Sequence, residues 1–158
     1  MDKERKWTSY YEDEMAISIK LPIDWNVGTS KNFQLILLAQ EVDGYSVNVA
    51  INSHEFSGDE AAFNQAISNS NNAMAKEYKG YTKLKEEQCW IDGYPAYHQV
   101  YSWIADEDNQ EKNYIQTLTL IYDMKSRLFE LNGTTLKNLP ESNVQLMEEI
   151  ISSLRIIH

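Results

Sequence analysis

A single cysteine, Cys89, serves the whole 158-residue chain, so no intramolecular disulfide can form. A catalytic thiol needs a base, and the only histidines are His54, His98 and His158; with Gln88 and Trp90 beside it, Cys89 reads as a structural thiol on a strand. Basic residues are scarce as well, 14 Lys and Arg against 24 Asp and Glu, for a net charge of -10. That field repels phosphate backbones and anionic lipid surfaces, which excludes nucleic acid as an expected partner. No run approaches the ~20 apolar residues of a membrane span, and Met1 leads into Asp-Lys-Glu-Arg-Lys rather than an apolar export core. The chain therefore reads as cytoplasmic, although a form trimmed of its export signal would read the same. There are only six glycines and no phosphate-cradling loop, and Gly-x-Ser-x-Gly and His-Glu-x-x-His are both absent.

What the chain does have is aromatic side chains: 10 Tyr, 4 Trp and 4 Phe, within a hydrophobic fraction of 42%. That composition belongs to a packed globule and not to a disordered tail. Residues 1–158 read as one domain, with residues 1–8 a frayed terminus, long enough to bury roughly two-thirds of the surface of the unfolded chain.

Periodicity assigns the elements. Met15, Ile17, Ile19 and Leu21 alternate with polar neighbours as a half-buried strand that stops at Pro22. Residues 26–32 read as a loop, and Phe33 to Gln40 as a strand buried on both faces. Asp43-Gly44 then turns the chain into Val47, Val49 and Ile51. Ser57-Gly58-Asp59-Glu60 has capping-box spacing and precedes a helical stripe of Phe63, Ile67, Ser70, Met74 and Tyr78. The opposite side, with Asn64, Gln65, Asn69, Asn71 and Asn72, reads as solvated. Four strands follow, Tyr81 to Trp90, Tyr94 to Ile104, Asn113 to Tyr122 and Arg127 to Asn132. They are joined by Asp92-Gly93, an acidic loop over 105–112, and the turn 123–126. Pro140 suits the first turn of a second helix striped by Val144, Met147, Ile151 and Leu154, and residues 155–157 suit a short edge strand. The expected class is α+β, a central antiparallel sheet of 6–7 strands with two main helices.

Several short motifs resemble one family. Ile17-Ser18-Ile19-Lys20-Leu21-Pro22 followed by Trp25, the strand Val47-Asn48-Val49, Ile91-Asp92-Gly93-Tyr94-Pro95-Ala96, and Ile150-Ile151-Ser152-Ser153-Leu154-Arg155 are similar to the PsbP-like superfamily, in particular its bacterial DcrB-like branch. The resemblance runs from Trp7 to Ile157 and implies an α/β/α sandwich. It also implies an accessory role, since members include a photosystem II extrinsic subunit, a Ran-binding import factor, envelope lipoproteins and chaperones of secreted effectors. The matched motifs are structural and transfer no site. Envelope members carry an export signal and often a lipid-anchored cysteine, and neither is present here.

No catalytic, cofactor-binding or metal-ligating set emerges. Asp106, Glu107, Asp108 and Glu111 lack the pattern of a calcium loop, and His54 and His98 have no partners at zinc-ligand spacing. The chain reads as a non-enzyme, a protein-binding or chaperone-like module. Tyr97, Tyr101 and Trp103, which share one strand face, are the candidate partner-binding residues; core packing accounts for them equally well. Two alternatives are an acidic inhibitor or immunity protein against a basic enzyme, and a small-ligand carrier. A protein partner is expected, and a homodimer is left open.

Overall fold

The computed structural model describes residues 5–157. Its first strand was not expected. Trp7 and Thr8, assigned above to a frayed terminus, open β1 (Trp7–Glu12), which pairs antiparallel with β2 (Ile17–Pro22). Residues 1–4 of that terminus lie outside the described residues. The alternation in β2 does what the pattern requires, burying Met15, Ile17, Ile19 and Leu21 almost completely. Its other edge takes a two-residue strand, Arg155–Ile156, so β2 forms the middle of a separate three-stranded sheet instead of joining the main one.

The main sheet has seven strands, all antiparallel to their neighbours. In chain order they are β3 (Asn26–Gly28), β4 (Leu35–Leu38), β5 (Asn48–Glu55), β6 (Thr82–Ile91), β7 (Tyr94–Glu107), β8 (Gln110–Tyr122) and β9 (Arg127–Leu136); Arg155–Ile156 is β10. Across the sheet the order is β3-β4-β5-β9-β8-β7-β6. β3 falls inside the stretch read as a loop. β4 is shorter than expected and buries one face only, with Leu35 and Leu37 inside while Ile36 and Leu38 stay half-buried. Three hairpin turns place consecutive residues at positive φ: Asp43 and Gly44 at 51° and 79°, Asp92 and Gly93 at 53° and 80°, Asp108 and Asn109 at 49° and 65°. This is the geometry that matches strand twist in a two-residue turn. The third turn corrects the acidic loop over 105–112, which is instead the tip of a long hairpin.

Helix α1 (Glu60–Glu77) lies against one face and α2 (Ser142–Ser152) against the other, making the α/β/α sandwich. Asp59, not Ser57, caps α1, its carboxylate accepting the Ala62 N–H at 3.0 Å. Pro140 stands before α2 and not within its first turn. On the α2 side, Met147, Ile150 and Ile151 join β2, β4, β5 and β9 in one apolar core. Asp92 closes that side: its carboxylate accepts the Ile156 N–H at 2.8 Å and faces Arg155 at 3.7 Å, tying β10 to the β6–β7 turn.

Gly133 on β9 sets how close α2 can come. A Cβ there would lie 2.7 Å from Thr117 Oγ1 and 2.9 Å from Met147 Sδ. Thr117 Oγ1 also accepts the Gly133 N–H at 3.0 Å, so that neighbour is held in place. Gly133→Ala is expected to lower unfolding stability by about 1–3 kcal/mol through overpacking; urea denaturation reads this, and an unchanged midpoint contradicts it.

Candidate functional site

The α1 side of the sheet combines polar aromatic residues with aliphatic ones. Tyr97, Tyr101 and Trp103 point this way from β7, joined by Leu118, Leu120 and Tyr122 of β8, and they receive Phe63, Ile67 and Met74 of α1. Gln99, fully buried between the tyrosines, organises the platform. Its Nε2 donates to Asn71 Oδ1 at 2.7 Å and to the Tyr97 hydroxyl at 2.9 Å, while its Oε1 accepts from the Tyr81 hydroxyl at 2.6 Å. The Tyr97 hydroxyl donates in turn to Glu86 Oε2 at 2.5 Å. Burial and then that carboxylate push the Tyr97 phenol well above its ordinary pKa. Asn71 therefore does not belong to the solvated helix face to which its composition assigned it.

Tyr97 and Tyr101 are each only 2% exposed. Trp103 is the one of the three that reaches a rim. Its indole N–H donates to Gln116 Oε1 at 2.7 Å, an oxygen shared with the Tyr101 hydroxyl at 2.9 Å. Its ring stacks on Tyr78 at 4.4 Å and on Tyr114 at 5.4 Å, and Tyr114 meets Tyr45 at 6.3 Å. Burial pushes the Tyr45 phenol up to about 12, so it stays a neutral donor at physiological pH.

Beyond this aromatic wall the same face continues over β9, β5 and β4. The α1 cluster takes Leu128 from β9 and nothing from β5 or β4. Ile36, Leu38, Asn48, Asn52, Asn132 and Thr134 form this shelf, half-buried by one another. Asn132 Nδ2 donates to Glu130 Oε2 at 3.3 Å, and Gln116 Nε2 to Thr134 Oγ1 at 3.1 Å. The shelf is thus uncharged over most of its area, with an aromatic wall along one side. Sequence reading reached Trp103 but not Tyr78, Tyr114 or Gln116. The two-residue turn at Asp108-Asn109 would have revealed Tyr114 and Gln116, because it sets Trp103 opposite Tyr114 and Tyr101 opposite Gln116.

Solved structures share the fold. LpqN, involved in cell envelope biogenesis of Mycobacterium tuberculosis, aligns at TM-score 0.70 and 12% identity, over 97% of this chain and 91% of that one. The PsbP of the cyanobacterium Synechocystis aligns at TM-score 0.62 and 14% identity, over 97% and 94% of the two chains. The chain has the PsbP-like fold. A longer protein of Bacteroides thetaiotaomicron contains it too, at TM-score 0.61 and 14% identity, over 95% of this chain and 48% of that one. No protein-family model matches the sequence, and no curated protein matches it.

Several titratable groups are paired within the fold. His98, 6% exposed, is held between Thr119 Oγ1 and Glu148 Oε2, both at 2.7 Å. Lys85 Nζ reaches the same Glu148 oxygen at 2.9 Å, linking α2 to β6 and β7. Burial pushes the Cys89 thiol up, away from the thiolate a nucleophile needs. His54 faces Glu130 at 3.3 Å and not its sequence neighbour Glu55. On the acidic hairpin, Lys79 pairs with Asp106 and Glu111, and Lys112 with Glu107. Among the described residues no three His, Cys, Asp or Glu converge as metal ligands, and no helix is long and apolar enough to cross a membrane.

Two carboxylates, the buried Asp123 and the half-buried Glu148, make the fold acid-sensitive. Burial raises the Glu148 pKa, but Lys85 and His98 outweigh it and hold the group below its ordinary value of 4.5. Asp123 behaves alike: burial raises it, and the N–H groups of Arg127, Lys125 and Ser126 outweigh that. A folded pKa below the unfolded one stabilises the protein above the unfolded pKa, and this contribution is lost as pH falls through the folded value. Stability is therefore expected to fall with acid below about pH 4.5, with a shallower fall in Glu148→Gln. Denaturation midpoints followed from pH 7 downward measure this; identical pH slopes in both proteins contradict it.

Proposed function

We propose that the chain is a non-catalytic accessory module that binds a segment of a partner protein on the shelf beside Trp103. The observation that carries this reading is the uneven covering of the main sheet. One face is sealed by α2 and the small sheet, whereas α1 covers only half of the other and stops at an aromatic wall. Trp103 anchors that edge, and Tyr97 and Tyr101 support it from beneath α1. A rigid, hydrogen-bonded aromatic beside an uncharged shelf is the composition of a protein contact surface, because its large apolar area is already ordered before binding. The non-catalytic character is supported by the internal engagement of His98 and the protonated state of Cys89. The fold shared with a protein involved in cell envelope biogenesis is compatible with an accessory role.

The test compares proteins captured from the native lysate by the wild-type chain, by Trp103→Ala and by Asn132→Lys, at low and high salt. The account expects a partner that survives high salt and is lost at least ~10-fold in both variants, as for a contact hot spot. Circular dichroism checks that the variants remain folded. Equal recovery by all three proteins contradicts the shelf, and a partner lost to salt alone favours the electrostatic inhibitor.

A further inference from the structure

A second surface lies at the opposite end of β7 from Trp103. There the N-terminus of α1, the β6–β7 hairpin and the β8–β9 turn enclose a cleft of about 380 Å³. Phe63, Pro95, Ala96 and Tyr122 supply apolar lining, Phe63 stacks on Tyr122 at 5.7 Å, and the Tyr122 hydroxyl is fixed by donating to Gly58 O at 2.8 Å. Two large side chains stand at its lining with most of their surface in solvent, Trp90 at 70% and Met124 at 55% exposed. Met124 is presented from a left-handed backbone, φ 62°, a conformation rarely adopted by such a residue. Exposed apolar groups gathered around a cleft mark a binding surface, unlike the same groups scattered singly.

Two further features say what fits. The charged residues lining the cleft are Asp59 and Glu60, both carboxylates, within a chain of net charge -10. A cation entering there meets carboxylates together with the open face of an indole. Gln88 and Trp90 also lie on β6, the last strand of the main sheet, whose outer edge pairs with no strand among the described residues. An extended chain added along that edge places every second side chain on the cleft side.

We infer that the Trp90 cleft receives an extended segment of a partner protein in which a basic residue stands two positions from an apolar one, so that both face the cleft. The apolar side chain packs against Met124 and Pro95, and the basic one lies over Trp90 toward Glu60. This surface is separate from the shelf, so either can fail without the other.

The probe is a decapeptide array on a Ser background in which one of Lys, Arg, Glu or Ser stands two positions from one of Val, Leu, Phe or Ser. Binding of the full chain is read by fluorescence anisotropy at two salt concentrations. Peptides pairing a basic with an apolar residue are expected to bind best, to weaken as salt rises, and to lose at least ~10-fold in affinity to Trp90→Ala and to Glu60→Lys. Glu60→Gln is expected to lose less than Glu60→Lys. Trp103→Ala is expected to bind the array like wild type. No preference for basic-apolar peptides, or a preference unchanged in Trp90→Ala, overturns the inference. So does a dimer in analytical ultracentrifugation that Trp90→Ala dissociates, since a second copy would then fill the cleft.

Discussion

β7 and β8 pair without interruption from Ala96 opposite Ile121 to Glu107 opposite Gln110, and both faces of the molecule are built on that ladder. Side chains alternate along a strand, so a single register assigns Tyr97, Gln99, Tyr101 and Trp103 to α1 and Ala96, His98 and Val100 to α2. A slip of one residue would put a histidine beneath α1 and a row of tyrosines beneath α2. The turn at Asp108-Asn109 and the tie between His98 and Thr119 across the two strands hold the register.

The two faces solve the burial problem differently. On the α2 side aliphatic side chains meet at van der Waals distance, and Gly133 is needed to admit Met147. On the α1 side the helix stands on tyrosine rings whose hydroxyls must all be satisfied, and Gln99, Asn71, Glu86 and Gln116 satisfy them. A network of this kind contributes little net stability but fixes ring positions closely. Rings held in this way reach the border of α1 at Trp103 and Tyr114. The face less suited to stabilising the fold is thus the one on which we propose that a partner binds.

Much of the architecture was legible because it rests on local rules. The alternation in β2, the Asp-Gly turns and the apolar stripes of both helices depend on residues near one another in sequence. β1 and β3 were hard to see for the opposite reason, being short segments stabilised by partners elsewhere. β10 was legible as a short edge strand, but not its tie to Asp92, 64 residues away, which accepts its N–H. The acidic run 106–111 looked like a solvated loop because the charge pattern masked Asp108-Asn109, residues that tolerate positive φ as glycine does. With that turn unread, the register of β8 was unknown, and Tyr114 and Gln116 could not be assigned to the face of Trp103. Asn71 lacked any sequence signal, since its neighbours Asn69 and Asn72 are exposed and it alone turns inward.

The central claim is that stability resides on the α2 face while the α1 face is held more lightly. Native-state hydrogen exchange, resolved by residue and followed over denaturant, tests it most directly. The account predicts that amides of α2, β5, β8 and β9 exchange only through global unfolding, while those of α1 exchange through a smaller opening at lower free energy. Protection of α1 equal to that of α2 would contradict it.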